Sequence, residues 1–164
     1  MRYFIFMMVV ALLPSQAHAK ITEAKINAFN EAYKEVYQAC DMQAIRQFAN
    51  THFANDYVSI FQNPQTGGTD KMTKEATLKQ MQASIDYINQ NNMTVTDCNT
   101  DVTVQNAIIQ DEQAVVAIKQ TESMTLTAPN GQSVPVTFQT FCNHIMTEDR
   151  NKLVVSQSQC MVQQ

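Results

Sequence analysis

Cys40, Cys98, Cys142 and Cys160 are the residues of this chain with the most chemistry available to them. Thiolates hold a metal when they come in close pairs or beside paired histidines, and these four do neither. An even count in an exported chain instead predicts up to two disulfides, with three pairings open. Tyr33 and Tyr37 lie one helical turn apart, so both hydroxyls can be presented on one face. His52 is expected near the end of a helix, where a cation complements the helix dipole. His144 is expected on a strand, as a surface or interface histidine. No Ser-His-Asp arrangement and no H-E-x-x-H motif is visible. Gly67, Gly68 and Gly131 are the only glycines, which excludes a glycine-rich phosphate loop. Asn92-Met93-Thr94 is a glycosylation sequon to which no role is assigned.

These side chains need elements to position them. Phe29, Ala32, Tyr33, Val36, Tyr37 and Cys40 recur at three- and four-residue intervals and predict a helix over Ile21–Cys40. Asp41 is placed to cap a second helix, with Met42, Ile45, Phe48 or Ala49, and His52 or Phe53 facing inward. The β-branched and aromatic run Tyr57–Phe61 predicts a short strand, followed by turn signals at Asn63-Pro64 and Gly67-Gly68. Leu78, Met81, Ile85 and Ile88 stripe a third helix over Thr73–Asn89, ended by Asn91-Asn92. From there the period changes to two. Strands are predicted over Met93–Ile109, Gln113–Thr127, Val134–Thr147 and Lys152–Val162, with turns at Pro129-Asn130-Gly131 and Glu148–Asn151. Helices first and long strands last make an α+β chain: three N-terminal helices packed on a strongly curved antiparallel sheet, with a cone-shaped cavity between.

Arg2, the apolar stretch Tyr3–Leu13, Pro14 and the small-x-small site Ala17-His18-Ala19 form the three parts of a secretory signal. The apolar stretch is about eleven residues, short of the ~18 to 20 a membrane-spanning helix needs. The expected organisation is a signal peptide over 1–19, cleaved after Ala19, and a single domain over 20–164, secreted or periplasmic. A net charge of -4 gives no basic surface for nucleic acid. With 45% hydrophobic and 16% charged residues the chain can build a core. Asn and Gln make up about a fifth of the expected mature chain but are dispersed, giving a neutral polar surface.

The run Ala39-Cys40-Asp41-Met42-Gln43-Ala44-Ile45 resembles the helix junction of nuclear transport factor 2-like proteins. Phe53-Ala54-Asn55-Asp56-Tyr57-Val58-Ser59-Ile60 resembles their lead-in to the first strand. Thr73-Lys74-Glu75 and the strand order are also similar. The resemblance covers most of the mature chain and implies a cone-shaped α+β barrel with a cystatin-like arrangement. The superfamily includes ketosteroid isomerases, SnoaL-like cyclases, dehydratases and non-catalytic binding modules, so it leaves activity open.

Ketosteroid isomerases carry a carboxylate base in an Asp-Pro pair after the first strand. This chain has Asn63-Pro64 there, or Phe61 in an ungapped alignment, and neither takes a proton near neutral pH. Tyr33, eight residues before Asp41, matches the isomerase tyrosine. Gln139 matches the second oxyanion donor but is not an acid. Asp56 matches an aspartate that shapes the start of the first strand. SnoaL-like cyclases pair a strand histidine with an aspartate, a likeness His144 shares by residue type alone. If Gln139 faces the cavity, His144 points away from it.

An intact fold signature with the isomerase base position lost points to a non-catalytic binding module, its pocket taking a small apolar ligand or a protein partner. The candidate ligand-binding residues are Tyr33, Tyr37, Asp56, Phe61 and Gln139. No catalytic residue, metal ligand or cofactor is assigned. The alternative is a cyclase or dehydratase acting on a small hydrophobic substrate through Tyr33, Gln139 and His144. A carboxylate or histidine beside Tyr33 in a deep pocket would favour that alternative. The outer sheet face is the expected surface for a homodimer.

Overall fold

A computed structural model describes residues 21–62, 67–110 and 112–163. The signal segment, its cleavage site and the Asn63-Pro64 turn lie outside the described residues.

Helix α1 spans Glu23–Gln38 and opens on Thr22, whose hydroxyl accepts from the Lys25 backbone N–H at 3.3 Å. Cys40 follows α1 with φ 55°, a left-handed residue that ends the helix. Helix α2, Met42–His52, begins as expected on Asp41, whose carboxylate accepts from the backbone N–H groups of Gln43 and Ala44 at 2.9 and 3.0 Å. Strand β1 covers Phe53–Gln62, β2 Thr69–Thr73, helix α3 Lys74–Gln90 and β3 Thr94–Gln110. Strands β4, Gln113–Thr127, β5, Ser133–Asp149, and β6, Lys152–Gln163, complete the chain. Arg150 and Asn151, both at positive φ, make the tight turn between β5 and β6.

The sheet order is β2-β1-β6-β5-β4-β3. The α+β class and the three-helix packing agree with expectation. Two details differ. Strand β2 was not expected, because Thr69-Asp70-Lys71 is polar and exposed and shows no apolar alternation. The sheet is also mixed: β3 to β6 are antiparallel neighbours, but β1 lies parallel to β6. Helix α3 and four strands intervene between β1 and β6, so their pairing owes nothing to a hairpin.

The core lies between the helices and the concave sheet face. Ile21 and Ile26 from the helical side meet Ala114, Val116, Ile118, Met146 and Val155 from the strands. Two disulfides form. Cys40–Cys98 ties the α1–α2 junction to β3, and Cys142–Cys160 joins directly opposed residues of β5 and β6. A register shift between Thr96 and Asn99, with Asp97 at φ 54°, interrupts the β3 ladder where Cys98 meets Cys40. The disulfides fit a non-cytoplasmic environment. Among the described residues no helix is long and apolar enough to cross a membrane.

Candidate functional site

The concave face encloses a cavity of about 260 Å³ between the helices and the sheet. Period two on β4 decides much of its lining. Ala114, Val116 and Ile118 are buried on the inner face, and the same alternation carries Gln120 and Glu122 to that face further along. Helix α1 adds Phe29 and Tyr33, and α2 adds Ile45 and Phe48. The Phe29 and Phe48 rings lie 5.5 Å apart and the Tyr33 and Phe48 rings 5.6 Å apart, so aromatic rings make the helical wall.

Two polar groupings interrupt this apolar lining. In the first, the Tyr33 hydroxyl donates to Glu122 Oε1. The Gln120 side-chain amide donates to the Tyr33 oxygen at 3.1 Å and also to Glu122 Oε1. Burial raises the Glu122 carboxyl above its ordinary range, and the two donors partly offset that rise. Burial, and then the Glu122 charge, hold the Tyr33 hydroxyl well above its usual range. Thr100, directly opposite Glu122 on β3, and Tyr37 each keep a buried hydroxyl oxygen without a hydrogen-bond partner among the described residues.

In the second grouping, His144 Nδ1 and Ser158 Oγ are 2.7 Å apart. They face each other across the β5–β6 ladder. The imidazole sits among apolar groups, and its burial lowers it to about 4, so it is neutral at physiological pH. Ser59 on β1 stands beside Ser158 in the β1–β6 register and is fully buried, with the Tyr57 hydroxyl close to both serines.

Of the expected ligand-binding set, the structure brings Tyr33 and Phe61 into the cavity lining. Tyr37 is buried beside Tyr33, ring centroids 6.2 Å apart, but does not line the cavity. Asp56 is exposed, on the irregular stretch where the β1–β6 register shifts between Phe53 and Val58. Gln139 falls on the outer face, where its amide donates to Thr121 Oγ1 at 3.3 Å. Alternation therefore brings Thr140, Cys142 and His144 inward, the reverse of the expected orientation for His144. His52 does end α2, yet not as a cation. Its ring stacks on Phe48 at 4.0 Å, burial lowers its pKa, and Nδ1 meets the Phe48 carbonyl at 3.0 Å.

Glu122 and Gln120 were missed as candidates. Their signal was present in the alternation that runs on from Ile118. Among the described residues no group of three His, Cys, Asp or Glu side chains is placed to hold a metal. The opposite sheet face carries an open groove of about 490 Å³, lined by Phe141, Asn143, Gln159 and Met161 among others and, among the described residues, without a titratable side chain. It is larger than the inner cavity but offers no acid or base.

No protein-family model and no curated protein matches the sequence. Solved structures do match the fold. A conserved protein from Planctomyces limnophilus superposes with a TM-score of 0.60 at 15% identity, over 86% of this chain and 95% of that one. A nuclear transport factor 2-like protein of unknown function from Shewanella baltica gives 0.55 at 9% identity, over 86% and 93%. An uncharacterised protein with a cystatin-like fold from Caulobacter vibrioides gives 0.52 at 13% identity, over 86% and 89%. At these identities the likeness concerns fold alone: the chain has a nuclear transport factor 2-like fold.

Proposed function

We propose that the concave cavity binds a small, mostly apolar molecule whose polar end meets Tyr33, Glu122 and Gln120. The observation that carries this is the polar cluster at the end of an apolar cavity, with the Thr100 and Tyr37 hydroxyls left unpartnered nearby. A buried hydroxyl without a partner costs about 1 to 3 kcal/mol, which a ligand or trapped water would offset. Native mass spectrometry of protein from its own host is expected to show a small-molecule adduct that Tyr33→Phe weakens. The complete absence of an adduct, together with no thermal shift from a library of apolar alcohols and ketones, would overturn the proposal.

A second reading has its own support. Glu122 is a carboxyl beside Tyr33 with its pKa raised, which is what a proton-transfer site of the cyclase or dehydratase kind requires. Exchange of a bound ligand's carbon-linked hydrogen with heavy water, abolished in Glu122→Gln, would favour the enzyme over the plain binder.

The N-terminal pattern and the two disulfides together support export with cleavage after Ala19. Intact-mass analysis of the host protein decides it. The outer face carries Ile108, Val115 and Ile145 side by side across three strands, with Ile108 and Val115 exposed. This apolar row supports a homodimer through that face, which sedimentation would test.

A further inference from the structure

The concave face is built in rungs, each made of residues directly opposite one another on neighbouring strands. Glu122 and Gln120 occupy the two outermost polar positions on β4. The next rung inward is apolar: Ile118, the Cys142–Cys160 disulfide and Phe61. The rung beyond it is polar again, with His144, Ser158 and Ser59 in register across β5, β6 and β1. An apolar lining does not need polar side chains at its inner end. Ser59 there is fully buried, and the Tyr57 hydroxyl, which lines the cavity, lies close to Ser158 and Ser59. The cavity lining itself thus carries hydrogen-bonding side chains at both ends, Tyr33, Gln120 and Glu122 at one and His144 and Ser158 at the other.

Building on the binding reading above, we propose that the ligand is an elongated, uncharged molecule with a hydrogen-bonding group at each end. One group meets Tyr33, Glu122 and Gln120. The other meets the Ser158–His144 pair, and the apolar body lies along the rung between. Val116 stands opposite His144, and Gln120 is four residues further along the same strand. At the usual rise that is roughly 13 Å. The cavity volume of about 260 Å³ accommodates about nine water-sized groups. Strung in line, that number of atoms suits the span, whereas a fused-ring body would need a wider space. Among the described residues the lining contains Glu122 and no lysine or arginine, so a carboxylate end would find no countercharge. The fitting class is therefore linear diols and hydroxy ketones rather than fatty acids.

The experiment is calorimetric titration of the oxidised protein with straight-chain α,ω-diols and with primary alkanols of matched length, about eight to ten carbons. A second satisfied hydrogen bond is expected to make the diol about tenfold tighter than the alkanol. Ser158→Ala should bring that ratio close to one, while circular dichroism confirms the fold. The ratio in the parent protein decides the matter even if the variant does not fold. Alkanols that bind with diols no tighter would overturn the two-ended ligand and leave the binding cavity standing. If neither series binds, both proposals fall.

Discussion

At one end of the cavity a carboxyl, Glu122, is raised above its ordinary range; at the other an imidazole, His144, is lowered to about 4. The shifts are opposite in sign and share a first cause, since burial disfavours whichever form carries charge. The ends differ in how they are held. Glu122 receives two side-chain donors, which pull back toward the ionised form, whereas His144 has a single serine hydroxyl. A cavity of this kind presents polar but neutral groups at its inner end and keeps proton-transfer capacity only at the Glu122 end.

The largest expected effect tests whether the Glu122 end is built on a buried ring. Tyr33→Ala removes a ring packed against Phe48 and Tyr37 and should cost about 3 to 5 kcal/mol in urea unfolding. A variant as stable as the parent would put Tyr33 at the surface and dissolve that end of the cavity.

The pH dependence distinguishes the two ends directly. The folded value of His144 lies below its unfolded value of about 6.5, so the unfolded chain binds more protons between those values. Its contribution is present above the unfolded value and is lost as pH falls toward about 4. The loss is on the order of 3 kcal/mol. Unfolding of the parent and of His144→Gln at about pH 7 and about pH 4 should show this loss in the parent alone. Equal acid sensitivity in both would mean the imidazole is solvated.

Ser158→Ala leaves His144 Nδ1 without its partner and is expected to cost about 1 to 3 kcal/mol near neutral pH. A neutral outcome in denaturant titration would mean that water replaces the hydroxyl.

The smallest effect has the opposite sign. The folded pKa of Glu122 is raised, so its contribution to stability is present below the unfolded carboxylate value and lost as pH rises through the folded value. Glu122→Gln should therefore be more stable than the parent near neutral pH, on the order of 1 kcal/mol, with the gap closing in acid. A variant less stable at neutral pH would show that the Tyr33 and Gln120 bonds outweigh the burial of charge.

Local pattern alone made much of this molecule legible. Phe29, Tyr33 and Tyr37 repeat at helical spacing, Asp41 is a capping residue before a periodic run, and Gln113–Thr127 is rich in β-branched residues and free of glycine and proline. Each of these signals acts within a few residues, so the three helices, the long strands and the α+β class follow from the chain. The even cysteine count likewise anticipated disulfides. The outer placement of Gln139 and the inner placement of His144 were not legible, because period two states that neighbours oppose but not which one faces the core. That choice is made when Cys142 meets Cys160 and Ile118 across the sheet. The exposure of Asp56 depends on a register shift against β6, a strand about a hundred residues away in sequence. Glu122 was within reach of the sequence as an inward position on β4, but its partner Tyr33 lies 89 residues earlier. The sequence by itself determined the elements and the residues able to do chemistry. Only the tertiary structure decided which of them share the cavity, since strand register and face are fixed by long-range packing.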